Sequence, residues 1–124
     1  MSEKEQGHSE LVWNVDEFLE RVDNDQVLLR ELLTIFKEDF PRTMRSLETA
    51  VTAQDLKSCA RLSHTLKGML SSLGAIRATA AAAKLEVLSS AGETASLQSA
   101  LKALESEAES LLPELDAYVA EVRR

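Results

Sequence analysis

The sequence predicts an all-α fold: an up-down-up-down four-helix bundle with a short additional N-terminal helix packed at one end. Three observations carry that prediction. Apolar residues recur every three or four positions through most of the chain, the period of an amphipathic helix. The chain has only four glycines, two prolines and 4% aromatic residues, whereas strands are usually enriched in aromatic and β-branched side chains. The breaks between periodic segments are short, which makes successive helices antiparallel neighbours.

Residues 1–12 read as a polar, aperiodic tail and residues 13–124 as one domain. His8 falls in the tail, where nothing nearby would tune or orient it. Asn14-Val15-Asp16-Glu17 reads as a capping box, with Asn14 as N-cap and Glu17 reaching back, and starts a short helix through about Val22. Asp23-Asn24-Asp25 is a turn with a second capping signal. The set Leu28, Leu32, Ile35, Phe36, Phe40, Met44, Leu47 and Val51 then predicts one long helix from Gln26 to about Ala53, kinked near Lys37 by Pro41. A split into two helices at that proline is the alternative.

Asp55 is the expected cap of a third helix running to about Leu73, with Gly74 as its left-handed terminator. A fourth runs from Ala75 to about Ser90. Its alanines, Ala78 and Ala80 to Ala83, favour helix and permit close approach, but they surround the axis and leave the buried face undefined. Ala91-Gly92 ends it. Thr94 is the expected cap of a fifth helix, whose stripe is Leu97, Leu101, Leu104, Ala108, Leu111, Leu115, Tyr118 or Val119, and Val122. Pro113 predicts a bend or break near the end of that stripe.

Composition excludes several classes. A net charge of −7 argues against general nucleic-acid binding. Cys59 is the single cysteine, so neither an internal disulfide nor a cysteine-rich zinc motif is available, and its place on the apolar arc suits a small core residue. The start of the chain does not read as a signal peptide, and no apolar run approaches the roughly 20 residues of a membrane span. A cytoplasmic monomer without membrane insertion is expected.

The candidate chemistry lies on the third helix. At about 100° per residue, Cys59, Leu62, Leu66, Met69, Leu70 and Leu73 gather in one arc, and His64 falls about 160° from its centre. The imidazole therefore faces water. Around it lie Lys57, Ala60, Arg61, Lys67, Gly68 and Ser71, which are basic or small. From Asp55 to Arg77 the only acidic residue is Asp55, so the surface is a basic island in an acidic protein. Gly68 costs its helix about 1 kcal/mol relative to alanine. Since it points away from the apolar arc, access to His64 accounts for it better than packing does.

A neutral imidazole nitrogen attacks phosphorus readily and carries a phosphoryl group in an energy-rich bond. Lys67, at i+3, would place a cation near the phosphoryl oxygens, and Arg61 and Lys57 extend the positive surface toward the start of the helix. The ring also needs an acceptor for its second N–H, which the helix alone does not supply. A plain solvated face with a lysine beside a histidine remains the alternative at this level. A metal-binding bundle would need Glu-x-x-His pairs, but His64 has Arg61 at i−3.

The run Ser63-His64-Thr65-Leu66-Lys67-Gly68, with Gly74 beyond it, resembles the signature of histidine-containing phosphotransfer (HPt) domains. The resemblance spans about residues 14 to 122, and the Phe36-Lys37-Glu38-Asp39-Phe40-Pro41 segment and the Leu85-Glu86 pair are similar to family features in spacing. It implies a phosphocarrier, not an enzyme, which accepts a phosphoryl group on His64 from the phospho-aspartate of a receiver domain and passes it to another receiver. The receivers would belong to response regulators or hybrid histidine kinases. Lys67 would neutralise the phosphoryl oxygens, Gly68 and Ser71 would give the partner room, and Lys57 and Arg61 would help dock it. No cofactor is implied for this chain, with Mg2+ expected only in the partner receiver. Family members often carry a glutamine that steadies the ring at the position of Glu86. A carboxylate there could accept the N–H, but it would also sit near an incoming dianion. The alternatives are a domain phosphorylated directly by a separate chemotaxis-type kinase, the chain itself having no ATP-binding motif, and a helical adaptor without chemistry.

Overall fold

The computed structural model describes residues 11–122, so His8 lies outside the described residues. Five α-helices follow one another: α1 (Val15–Arg21), α2 (Gln26–Thr52), α3 (Leu56–Leu73), α4 (Ile76–Ser90) and α5 (Leu97–Val122). Helix α3 packs against α2 and, most extensively, α4; α5 closes the ring against α4 and α2, while α1 lies against α3. This is the expected four-helix bundle with its additional N-terminal helix.

Local chemistry sets most of the boundaries. Asn14 accepts from the Glu17 amide at 3.2 Å. Asp25 accepts from the amides of Val27 and Leu28, and Asp55 accepts from that of Ser58. Each cap satisfies amides that have no partner within the helix. The capping box at Asn14 is only half made, because the Asn14 amide donates to Gly74 O at 2.8 Å and Glu17 pairs with Arg21 instead. Both Pro41 and Pro113 lie inside unbroken helices. The continuous α2 therefore prevails over the split, and no break occurs at Pro113. Thr94 does not cap α5 directly; it opens a short 3-10 turn, Thr94–Ser96, that leads into the helix.

The core lies between all four long helices, and Leu29, Leu47, Leu66, Leu85, Leu104 and Leu115 are fully buried in it. Each such leucine contributes about 2 kcal/mol through removal of its apolar surface from water. The buried residues of α3 and α4 include several small ones, Cys59 and Ser63 on α3 and Ala78, Ala82 and Ser89 on α4. Small residues at a helix contact permit a short interaxial distance. The alanine tract alone did not define that face.

One stripe differs from expectation. Along the first half of α2 the core takes Leu29, Leu33 and Phe36, while Leu28, Leu32 and Ile35 remain exposed. Phe18 of α1 and Val22, which caps that helix, are buried in the same core, and both border the exposed line of α2.

The segment from Trp13 to Arg21 also finishes α3. Trp13 Nε1 donates to Leu73 O at 2.9 Å, and Arg21 donates to Ser71 O and Ser72 O at 2.6 and 2.9 Å. The carbonyls that a helix C-terminus leaves without partners are thus met by the N-terminal segment. Gly74 has φ +86°, and a Cβ on it would lie 2.8 Å from Asn14 O, so both its conformation and this close approach require glycine.

Candidate functional site

Helix α3 carries His64 on the face opposite its buried line of Cys59, Ser63, Leu66, Leu70 and Leu73. The His64 side chain is 68% exposed. One turn on, a Cβ placed on Gly68 would meet nothing within 4 Å, so the clearing beside the ring is real. Ser71 is exposed along the same edge, and its carbonyl is one of the two held by Arg21.

The close packing of α4 on α3 supplies what the helix alone could not. Glu86 Oε2 lies 3.0 Å from His64 Nδ1, and Glu86 Oε1 lies 2.8 Å from Lys67 Nζ. One carboxylate therefore bridges the imidazole and the ammonium. The hydrogen bond from Lys67 holds the Glu86 carboxyl below the usual carboxylate range, and the bond from His64 adds to this against the effect of partial burial. An ionised carboxylate only accepts hydrogen bonds. In the neutral ring, the proton is therefore assigned to Nδ1, and Nε2 keeps its lone pair. The nitrogen without a contact to Glu86 is Nε2.

The basic island is partly neutralised. Lys67 pairs with Glu86 and Arg77 with Glu107 at 3.0 Å. Lys57 and Arg61 are exposed and form no ion pair among the described residues. Those two, toward the start of α3, are the cations most accessible to a partner.

Toward the other end of α3 the face is apolar. Leu28, Leu32 and Ile35 of α2 border Met69 and Ser72 of α3 around a groove of about 370 Å³, with Phe18 and Phe36 among its lining and Arg21 and Asp39 as its charged members. Sequence reading had placed those α2 residues in the core. The signal was nevertheless present: Leu28-Leu29, Leu32-Leu33 and Ile35-Phe36 are paired apolar residues, forming an arc too wide for one buried line. Trp13, which the sequence reading did not single out, is the other residue of consequence that it missed.

No three His, Cys, Asp or Glu side chains gather as a metal site among the described residues. No helix among them is long and apolar enough to cross a membrane.

Residues 31–124 match the family model described as the Hpt domain. The chain belongs to the Hpt family. That membership carries a histidine phosphotransfer role in phosphorelays, in which Hpt domains are phosphocarriers working with receiver domains. The matched region starts within α2, so α1 and its connections to α3 lie outside it. The fold is similar to the crystal structure of histidine-containing phosphotransfer protein B (HptB) from Pseudomonas aeruginosa PAO1, with a TM-score of 0.81 and 20% identity over 86% of this chain and 93% of that one. No curated protein matches the chain. In this Hpt domain the surface to be explained is therefore the His64 face, with Glu86 and Lys67 at its centre, cations at one end and an apolar groove at the other.

Proposed function

We propose that His64 is the phosphoacceptor of a phosphorelay intermediate, receiving the phosphoryl group from the phospho-aspartate of one receiver domain and delivering it to the aspartate of another. The observation that carries this reading is the 3.0 Å contact between His64 Nδ1 and Glu86, which turns the lone pair of Nε2 toward an uncrowded surface. Nε2 attacks phosphorus, the bond from phosphorus to the aspartyl oxygen breaks, and its electron pair leaves with the receiver carboxylate. Reversal of these steps on a second receiver completes the relay. The low cost of each direction follows from similar energy-rich bonds on both sides.

Lys67, one turn from His64, neutralises the phosphoryl oxygens once it turns from Glu86. Gly68 and Ser71 leave room for the receiver's own catalytic loops, where Mg2+ resides. Lys57 and Arg61 meet acidic residues of the partner, and the groove beside Leu32 and Ile35 takes an apolar side chain from it. The domain works as a cytoplasmic monomer, and Glu86 orients the ring.

Incubation with a phosphorylated receiver should transfer an acid-labile, alkali-stable label to the wild-type chain and none to His64→Gln. Label that persists in the variant, or label that arises from a kinase but from no receiver, would overturn the reading.

A further inference from the structure

The bridge formed by Glu86 has a chemical consequence for the phosphorylated state. Attack by Nε2 on phosphorus makes the ring a cation if Nδ1 keeps its proton. If that proton is lost to solvent, the phosphorylated ring is neutral, and transfer onward must expel an imidazolate anion, a far poorer leaving group than neutral imidazole. Whether the proton stays is therefore decisive for the second transfer.

We infer that Glu86 holds the Nδ1 proton of His64 through both transfers, so that the phosphoryl group travels on an imidazolium ring and the relay exchanges no proton with solvent. The inference rests on His64 being the phosphoacceptor. Its basis is the geometry: an ionised carboxylate 3.0 Å from the nitrogen that bears the proton. An opposite charge at such a distance favours the charged form of a group.

Lys67 strengthens the effect. In the unphosphorylated chain it shares Glu86, at 2.8 Å, with a neutral ring. A phosphoryl dianion on Nε2 offers Lys67 a stronger partner on the other side of the ring. As its ammonium turns to the phosphoryl oxygens, the Glu86 charge falls wholly on the Nδ1–H. The cation moves to where negative charge arrives, and the carboxylate stays where positive charge arrives.

Other charges around the ring do not duplicate this role. From α3 it is faced by Lys57, Arg61 and Lys67, all cations. Along α2, Asp39 is paired with Arg42 at 3.5 Å, and Asp39 borders the groove beside Met69 and Ser72. From α4 the contact is Glu86 alone. Glu86 is thus a positioning residue for a proton, and its negative charge, beyond its shape, is the property that matters. A glutamine there would accept the same hydrogen bond without that charge.

The experiment compares wild type with Glu86→Gln, each first phosphorylated by a receiver and purified from it. Rapid-quench transfer to a second receiver is then followed from about pH 6 to about pH 9, a range that spans the ordinary histidine value of about 6.5 and extends well above it. The ratio of the two rates removes the receiver's own pH dependence. For wild type the rate should stay level into the alkaline range, while for Glu86→Gln it should fall about tenfold per pH unit once the ring loses its proton. Phosphorus-31 resonances of the two phosphorylated rings should titrate at different pH, the wild type at the higher. Parallel rate profiles with coincident titrations would overturn the inference and leave the phosphoacceptor assignment intact. Failure of the wild type to accept label at all would overturn that assignment instead.

Discussion

Trp13 donates its indole N–H to the carbonyl oxygen of Leu73 at 2.9 Å, joining the residue that precedes the α1 cap to the last residue of α3. The same indole meets the edge of Tyr118 on α5, with ring centroids 5.5 Å apart. Trp13 thus ties three helices together at the end of the bundle that α1 covers. The site helix is held at both ends, by Asp55 at its start and by this segment at its finish.

Replacing Trp13 with Phe keeps most of the apolar surface but leaves the buried Leu73 carbonyl without its donor. The expected loss is about 2 kcal/mol, or a fall in melting temperature of roughly 8 °C. Circular dichroism is the suitable probe, because Trp13 is the only tryptophan. His64 lies about 13 Å along the helix from Leu73, so phosphoryl acceptance at low temperature should remain close to wild type. An unchanged melting temperature would show that the bond contributes nothing net.

Gly68→Ala separates access from packing. The added Cβ meets nothing within 4 Å, so the substitution should stabilise the helix by about 1 kcal/mol and raise the melting temperature by roughly 4 °C. Transfer from a receiver should nevertheless slow, since the new methyl group enters the clearing beside His64. A stabilised variant with undiminished transfer would remove access as the reason for glycine at this position.

The two ends of the face should respond to different perturbations. Added salt should weaken receiver binding through Lys57 and Arg61, and replacing both by Ala should flatten that response. Ile35→Asp should leave the melting temperature nearly unchanged, because Ile35 is 52% exposed. It should weaken receiver binding about tenfold, a loss of about 1.4 kcal/mol, as measured by titration calorimetry. Undiminished binding by that variant would exclude the groove from the interface.

Much of the architecture was legible in the sequence, for local reasons. Capping by Asp25 and Asp55 depends on a side chain reaching an amide two or three residues away, so the residues themselves declare it. The left-handed Gly74 and the water-facing position of His64 follow similarly from backbone preference and helical period. Pro41 and Pro113 each remove an amide donor, yet both helices run through them: the single long α2 expected from its apolar period holds, and of the bend or break expected at Pro113 the break does not occur.

What the sequence by itself determined was the set of helices, the histidine turned to water and the small and basic residues beside it, because all of these depend on neighbours within one turn. Only the tertiary structure decided which apolar line of α2 is buried, since Leu28 and Leu29 are equally apolar and the packing of α2 on α3 and α5 makes the choice between them. It also decided where the Glu86 carboxylate lies. That group reaches His64 across two helices, and that reach depends on how closely α3 and α4 pack, a distance that no spacing along the chain encodes.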